Sequence, residues 1–122
     1  MNPQQILAQL ASDTELGEGS CVGDNPMTVG VFGRDVHLEV GPVACVLSSH
    51  DAFALAAYLG RGGEWAPFER ACTLDIVEVC VRWMHGGEVQ VDLQADDAPD
   101  AVWHGRADRL REAIGRALLT RL

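Results

Sequence analysis

The segment from Val77 to Leu93, VEVCVRWMHGGEVQVDL, leaves its backbone few choices. Val77, Val79, Val81 and Trp83 recur at every second position, and after Met84-His85-Gly86-Gly87 so do Val89, Val91 and Leu93. A period of two gathers these side chains on one face of a strand, whereas a helix would scatter them around its circumference. Glu78, Arg82, Glu88, Gln90 and Asp92 take the opposite face. The stretch therefore predicts an antiparallel hairpin with one dry side and one wet side. Leu74 and Ile76 are out of phase with the valines, which predicts a bulge near Ile76-Val77.

The same period appears earlier. Val29 and Val31 share a face; after Gly33-Arg34-Asp35, so do Val36, Leu38 and Val40, with His37 and Glu39 pointing away. Gly41-Pro42 marks a second turn, and Val43, Cys45 and Leu47 give a third strand. Connections this short make the three an antiparallel meander. Around these strands the period changes to the helical one. Residues 3–12 carry Ile6, Leu7 and Leu10 as an apolar stripe behind Asn2 and Pro3, a cap and a first-turn residue. Ala52, Leu55, Ala56 and Leu59 predict a second helix that ends with Gly60 in a left-handed conformation. Leu110, Ile114, Ala117 and Leu118 predict a third, running from about Val102 to the end of the sequence. Between them, RGGEWAPFERACT reads as a loop, and Trp65 and Phe68 on it either fold back on the core or face a partner. The expected fold is α+β, a single domain over 1–122. It has an antiparallel sheet of about five strands, helices on one face, and the order α-β-β-β-α-β-β-α. The two halves, each a hairpin followed by a helix, echo one another in pattern without sharing a motif.

The letters Ser48, Ser49, His50 and Asp51 are those of a hydrolase triad, but their position argues against one. A triad converges from separate parts of a fold, and neighbours at a helix start point in different directions. The serines also lack a GxSxG elbow. Capping explains them better: a serine satisfies free backbone N–H groups, and Asp51 meets the positive end of the helix dipole. A phosphate-binding loop of P-loop type is excluded, because Gly60, Gly62 and Gly63 follow a helix and the chain has no lysine. Cys21, Cys45, Cys72 and Cys80 form no close pair, and His37, His50, His85 and His104 are scattered. Reduced, mostly buried thiols and no metal or cofactor are the expectation. Residues 1–13 lack the basic and apolar regions of a secretory signal, and no apolar run is long enough for a bilayer, so a cytoplasmic protein is expected.

Charge carries the functional reading. The formal net charge is -9, all nine basic residues are arginine, and five of those fall within residues 106–121. Between Arg82 and Arg106 the only charges are Glu88, Asp92, Asp96, Asp97 and Asp100. A field of that sign repels nucleic acid and attracts a basic partner. Small, acidic, motif-free single domains of this kind are similar to immunity proteins and phage-borne anti-defence inhibitors of the anti-CRISPR type. Those act by occupying a basic surface on a nucleic-acid-handling protein. Glu88, Asp92, Asp96, Asp97 and Asp100 are then the expected partner-binding residues, with Trp65 and Phe68 as apolar candidates. The alternative rests on element order, which resembles that of class I chaperones of type III secretion systems. That resemblance implies a homodimer holding an extended segment of a secreted client; it carries no shared residue motif, and the glycine-rich loop at 60–73 departs from it. Both readings describe a non-enzymatic protein-binding module, with no membrane and no direct nucleic-acid contact.

Overall fold

The computed structural model describes residues 14–16, 27–61, 66–72, 77–96 and 100–120. Two antiparallel four-stranded sheets, each followed by a helix, make up the α+β fold. The first sheet runs β1 (Thr14–Leu16), β2 (Met27–Phe32), β3 (Asp35–Val40) and β4 (Val43–Leu47), and leads into α1 (Ser49–Arg61). The second runs β5 (Phe68–Ala71), β6 (Val77–Trp83), β7 (Glu88–Ala95) and β8 (Ala101–Arg106), and leads into α2 (Ala107–Thr120). In both sheets the spatial order is the chain order, so every ladder joins sequence neighbours. The echo between the halves is thus a repeated four-strand meander and helix, larger than the hairpin and helix expected from the sequence.

The register follows the alternation. In the first sheet Val29 pairs with Leu38, which pairs with Cys45; in the second Val81 pairs with Val91, which pairs with Trp103. Phe32 pairs with Asp35 across a two-residue turn whose Gly33 sits at φ +62°, a conformation that costs a side-chain-bearing residue free energy. Both helices cover the inward faces. α1 packs on β3, β4 and β5; α2 packs on α1, β8 and, across the molecule, β1, β2 and β3. One continuous core joins the sheets, with Met27, Leu38, Leu55, Leu93, Trp103, Leu110 and Ile114 fully buried.

Several expectations change. There are eight described strands in two sheets, where about five in one sheet were expected. β5 lies inside the expected loop: it is four residues long with Glu69 and Arg70 at its centre, and among the described residues its only ladder is to β6. The final helix starts at Ala107 instead of near Val102, because 101–106 form β8. That strand points Ala101, Trp103 and Gly105 inward, so two of its three core residues are too small to display the alternation. Gly60 is not a left-handed terminator: α1 continues to Arg61, and Gly60 is not among the positive-φ glycines. It leaves room for the Arg111 guanidinium, whose Nε would lie 3.0 Å from a Cβ at this position. The expected helix over 3–12 and the bulge at Ile76 lie outside the described residues.

Candidate functional site

The start of α1 disposes of the apparent triad one side chain at a time. Ser48 is the N-cap: the Asp51 backbone N–H donates to its Oγ at 3.2 Å, and its carbonyl accepts the first helical bond from Ala52 at 2.9 Å. Ser49 turns the other way and donates to the Arg34 carbonyl at 2.8 Å, tying the helix start to the β2–β3 turn. Asp51 pairs with Arg70 of β5 at 3.3 Å, and His50 is exposed. The four side chains share no common point.

The outward face of the second sheet carries most of its polar side chains, and its charges are sorted by position. Antiparallel partners share a face, so the register places them in rows. One row holds Ala71, Glu78 and Gln94; the next Glu69, Cys80, Asp92 and Val102; the next Arg82, Gln90 and His104; the last Glu88 and Arg106. Carboxylates therefore gather at the end where β7 turns into β8, and arginines at the end where β6 turns into β7. Between them His104 Nε2 and Gln90 Oε1 lie 2.9 Å apart.

At the acidic end, Glu78, Gln94, Asp96 and Asp100 line a recess of about 640 Å3 together with Ala71, Val77 and Ala95. Asp96 and Asp100 are exposed. Asp92 is half-buried, and its Oδ1 is buried with no hydrogen-bond partner; Gln94 donates to Oδ2 at 3.5 Å. Burial pushes its carboxyl above the ordinary aspartate value, and the neighbouring Asp100 charge adds to the rise; Gln94 and Arg82 oppose it. The structure thus brings Asp92, Asp96 and Asp100 together and adds Glu78, whose place on the wet face was already legible. Glu88 does not join them. It stands four residues from Asp92 along a strand, about 13 Å at roughly 3.3 Å per residue, and faces Arg106 in the ladder. Asp97 and Trp65 lie outside the described residues.

Phe68 folds back on the core, the first of the two alternatives its loop allowed. It is buried, its ring centroid is 5.8 Å from that of Tyr58, and the Arg70 guanidinium carbon sits 4.5 Å above it. The exposed large apolar side chains are elsewhere. Phe53 of α1 and Leu119 of α2, 55% and 81% exposed, flank a groove between the two helices with Ala56, Gly115 and Leu118. Cys45 and Cys80 are buried and Cys72 is partly buried; Cys21 lies outside the described residues. Among the described residues, no group of three histidine, cysteine, aspartate or glutamate side chains is placed to hold a metal ion, and no helix is long and apolar enough to cross a membrane. Compared with known protein families, characterised proteins and solved structures, the chain matches none.

Proposed function

We propose that the chain is a non-enzymatic binding module that presents the acidic end of its second sheet to a basic surface of another protein. In this reading it acts as an inhibitor of the immunity or anti-defence type. The observation that carries the reading is the gathering of Glu78, Asp96 and Asp100 around one recess at the end of the second sheet, with Asp92 on the strand beside it and the opposite side of the sheet locked into the core. Glu78 and Asp92 are mounted on strands, and so are held in place before the partner arrives and lose little order on docking. They offer arginines or lysines the same negative charge that phosphates would, and the partner's nucleic-acid site becomes occupied. Such contacts chiefly accelerate association and set specificity, and salt weakens them. The test is a pull-down from the source organism and its competitors, followed by kinetics on the captured protein. Changing Asp92, Asp96, Asp97 and Asp100 to asparagine should slow association and flatten its salt dependence while the fold persists. Wild-type association by that variant would sink the reading.

The chaperone alternative is favoured by a different observation, the groove between α1 and α2. Exposed Phe53 and Leu119 there could hold apolar residues of an extended client. A Phe53→Asp variant that loses its captured partner, in a protein that sediments as a dimer, would support this second reading over the first.

A further inference from the structure

We propose that the cleft at the arginine end of the second sheet is an anion-binding site that accepts a phosphate group. This open cleft, about 1020 Å3, forms where three parts of the fold meet. They are the β6–β7 turn at His85–Gly87, the junction of β8 with α2 at Arg106 and Ala107, and the last turn of α1 at Leu59 and Gly60. Three separate elements send an arginine to it: Arg82 from β6, Arg106 from β8 and Arg111 from α2.

In a chain with eighteen carboxylates and nine arginines, an arginine without an acidic neighbour is unexpected. Yet among the described residues no carboxylate lies within ion-pair distance of Arg82 or Arg111. Arg106 differs, since it grips Asp108 through two bonds of 3.0 Å, and Asp108 also accepts from the Arg109 backbone N–H at 2.8 Å. The one described acidic side chain lining the cleft is thus engaged with Arg106 and the first turn of α2. Among the described residues Arg111 has no carboxylate partner, while Arg82 donates to Cys80 Sγ at 3.8 Å and its charge reaches Asp92 without an ion pair.

Two further features fit an anion. Gly60 has no side chain, and the Arg111 guanidinium lies across the space where one would be. Its Nε, Cζ and one terminal nitrogen would stand 3.0, 3.1 and 3.2 Å from a Cβ there. The fork is thereby held against α1, with less freedom to lose on binding. Trp83 lines the same cleft, and its indole Nε1–H is buried with no acceptor. That group can only donate, and because its nitrogen is covered a ligand oxygen would satisfy it only once the wall around it gives. A tetrahedral phosphate suits a cleft lined by arginines from three elements better than a planar carboxylate does, which one bidentate arginine already saturates. Phosphate can arrive as the free ion or as an ester, and both present the same oxygens.

The experiment is a calorimetric titration of the full chain with inorganic phosphate, adenosine monophosphate and glucose 6-phosphate, with ionic strength held constant by sodium chloride. Saturable binding by at least one probe is expected. Arg82→Gln and Arg111→Gln should each weaken it about tenfold, the cost expected for one charge-assisted contact. Arg34→Gln, at the remote β2–β3 turn, should leave it unchanged. Tighter binding of an ester than of the free ion identifies an ester site; equal binding identifies a site for inorganic phosphate. Glutamine variants that bind as the wild type does, with circular dichroism confirming their fold, would overturn the proposal. So would the absence of saturable binding by all three probes. The asparagine variant of the acidic end should retain the site, so this result stands or falls separately from the proposed function.

Discussion

Gly105→Ala should be among the most damaging single changes the protein can undergo, although it adds only one methyl group. Gly105 and Trp103 are two residues apart on β8 and therefore share its inward face. The indole lies directly over the Gly105 Cα, so that a Cβ there would overlap Trp103 Cζ2 and Cη2 and come within 2.9 Å of Cε2. Genuine side-chain atoms do not approach that closely, so either the indole or the strand must move. Trp103 is 1% exposed and packed into a core that has no room to receive it, and β8 is held in register along six residue pairs with β7. Overpacking of a rigid core costs about 1–3 kcal/mol, and because both escape routes are blocked the upper end, about 3 kcal/mol, is expected. For a domain of this size that corresponds to a fall in Tm of roughly 10 °C. Urea unfolding followed by far-ultraviolet circular dichroism measures the loss. The mechanism is isolated by repeating Gly105→Ala in a Trp103→Leu background, where the clashing ring is gone and the added methyl should cost far less. A loss below about 1 kcal/mol in the wild-type background, or an equal loss in both backgrounds, would refute the argument.

Gly115→Ala tests the opposite case: a Cβ there meets nothing within 4 Å, so the substitution should stabilise α2 by about 0.5–1 kcal/mol in the same urea assay. Ser48→Ala removes the cap on the Asp51 N–H and should cost about 0.5–2 kcal/mol, with no effect expected from His50→Ala. Asp92→Asn should raise Tm at neutral pH. Folded Asp92 holds its proton to higher pH than the unfolded chain does, so its contribution to stability is full below the ordinary carboxylate range and declines as pH rises through its raised value. The gain from asparagine should accordingly shrink towards acid, and equal Tm values for the two proteins at neutral pH would contradict the assignment.

Side-chain volume governed what could be read from the sequence. β2, β3, β4, β6 and β7 were legible because large apolar side chains recur at every second position along them, with charged residues between on β3, β6 and β7. On β8 the same alternation is present but muted, since Ala101 and Gly105 fill inward positions and Trp103 covers its own neighbour. β5 offers only four residues to read, and it is a strand because β6 has a free edge beside it. The acidic site was half legible for a related reason. Carboxylates close in sequence part company on an extended strand, so Glu88 ended beside Arg106 while Glu78 arrived from the neighbouring strand. The arginine cleft could not be foreseen without β8, whose last residue supplies one of its three guanidinium groups.

The placement of α2 over β1, β2 and β3 sets the order of synthesis against the order of packing. Strands pair with their chain neighbours as they emerge from the ribosome, so both meanders can form early and quickly. The helix that shields the first of them is made after all eight. Until it is released, the faces bearing Met27, Val29 and Leu38 lack their cover, and a nascent chain paused before Ala107 displays a sheet of apolar side chains to its surroundings. Slow translation of the last helix should therefore favour aggregation of this protein, and fast translation should favour its yield.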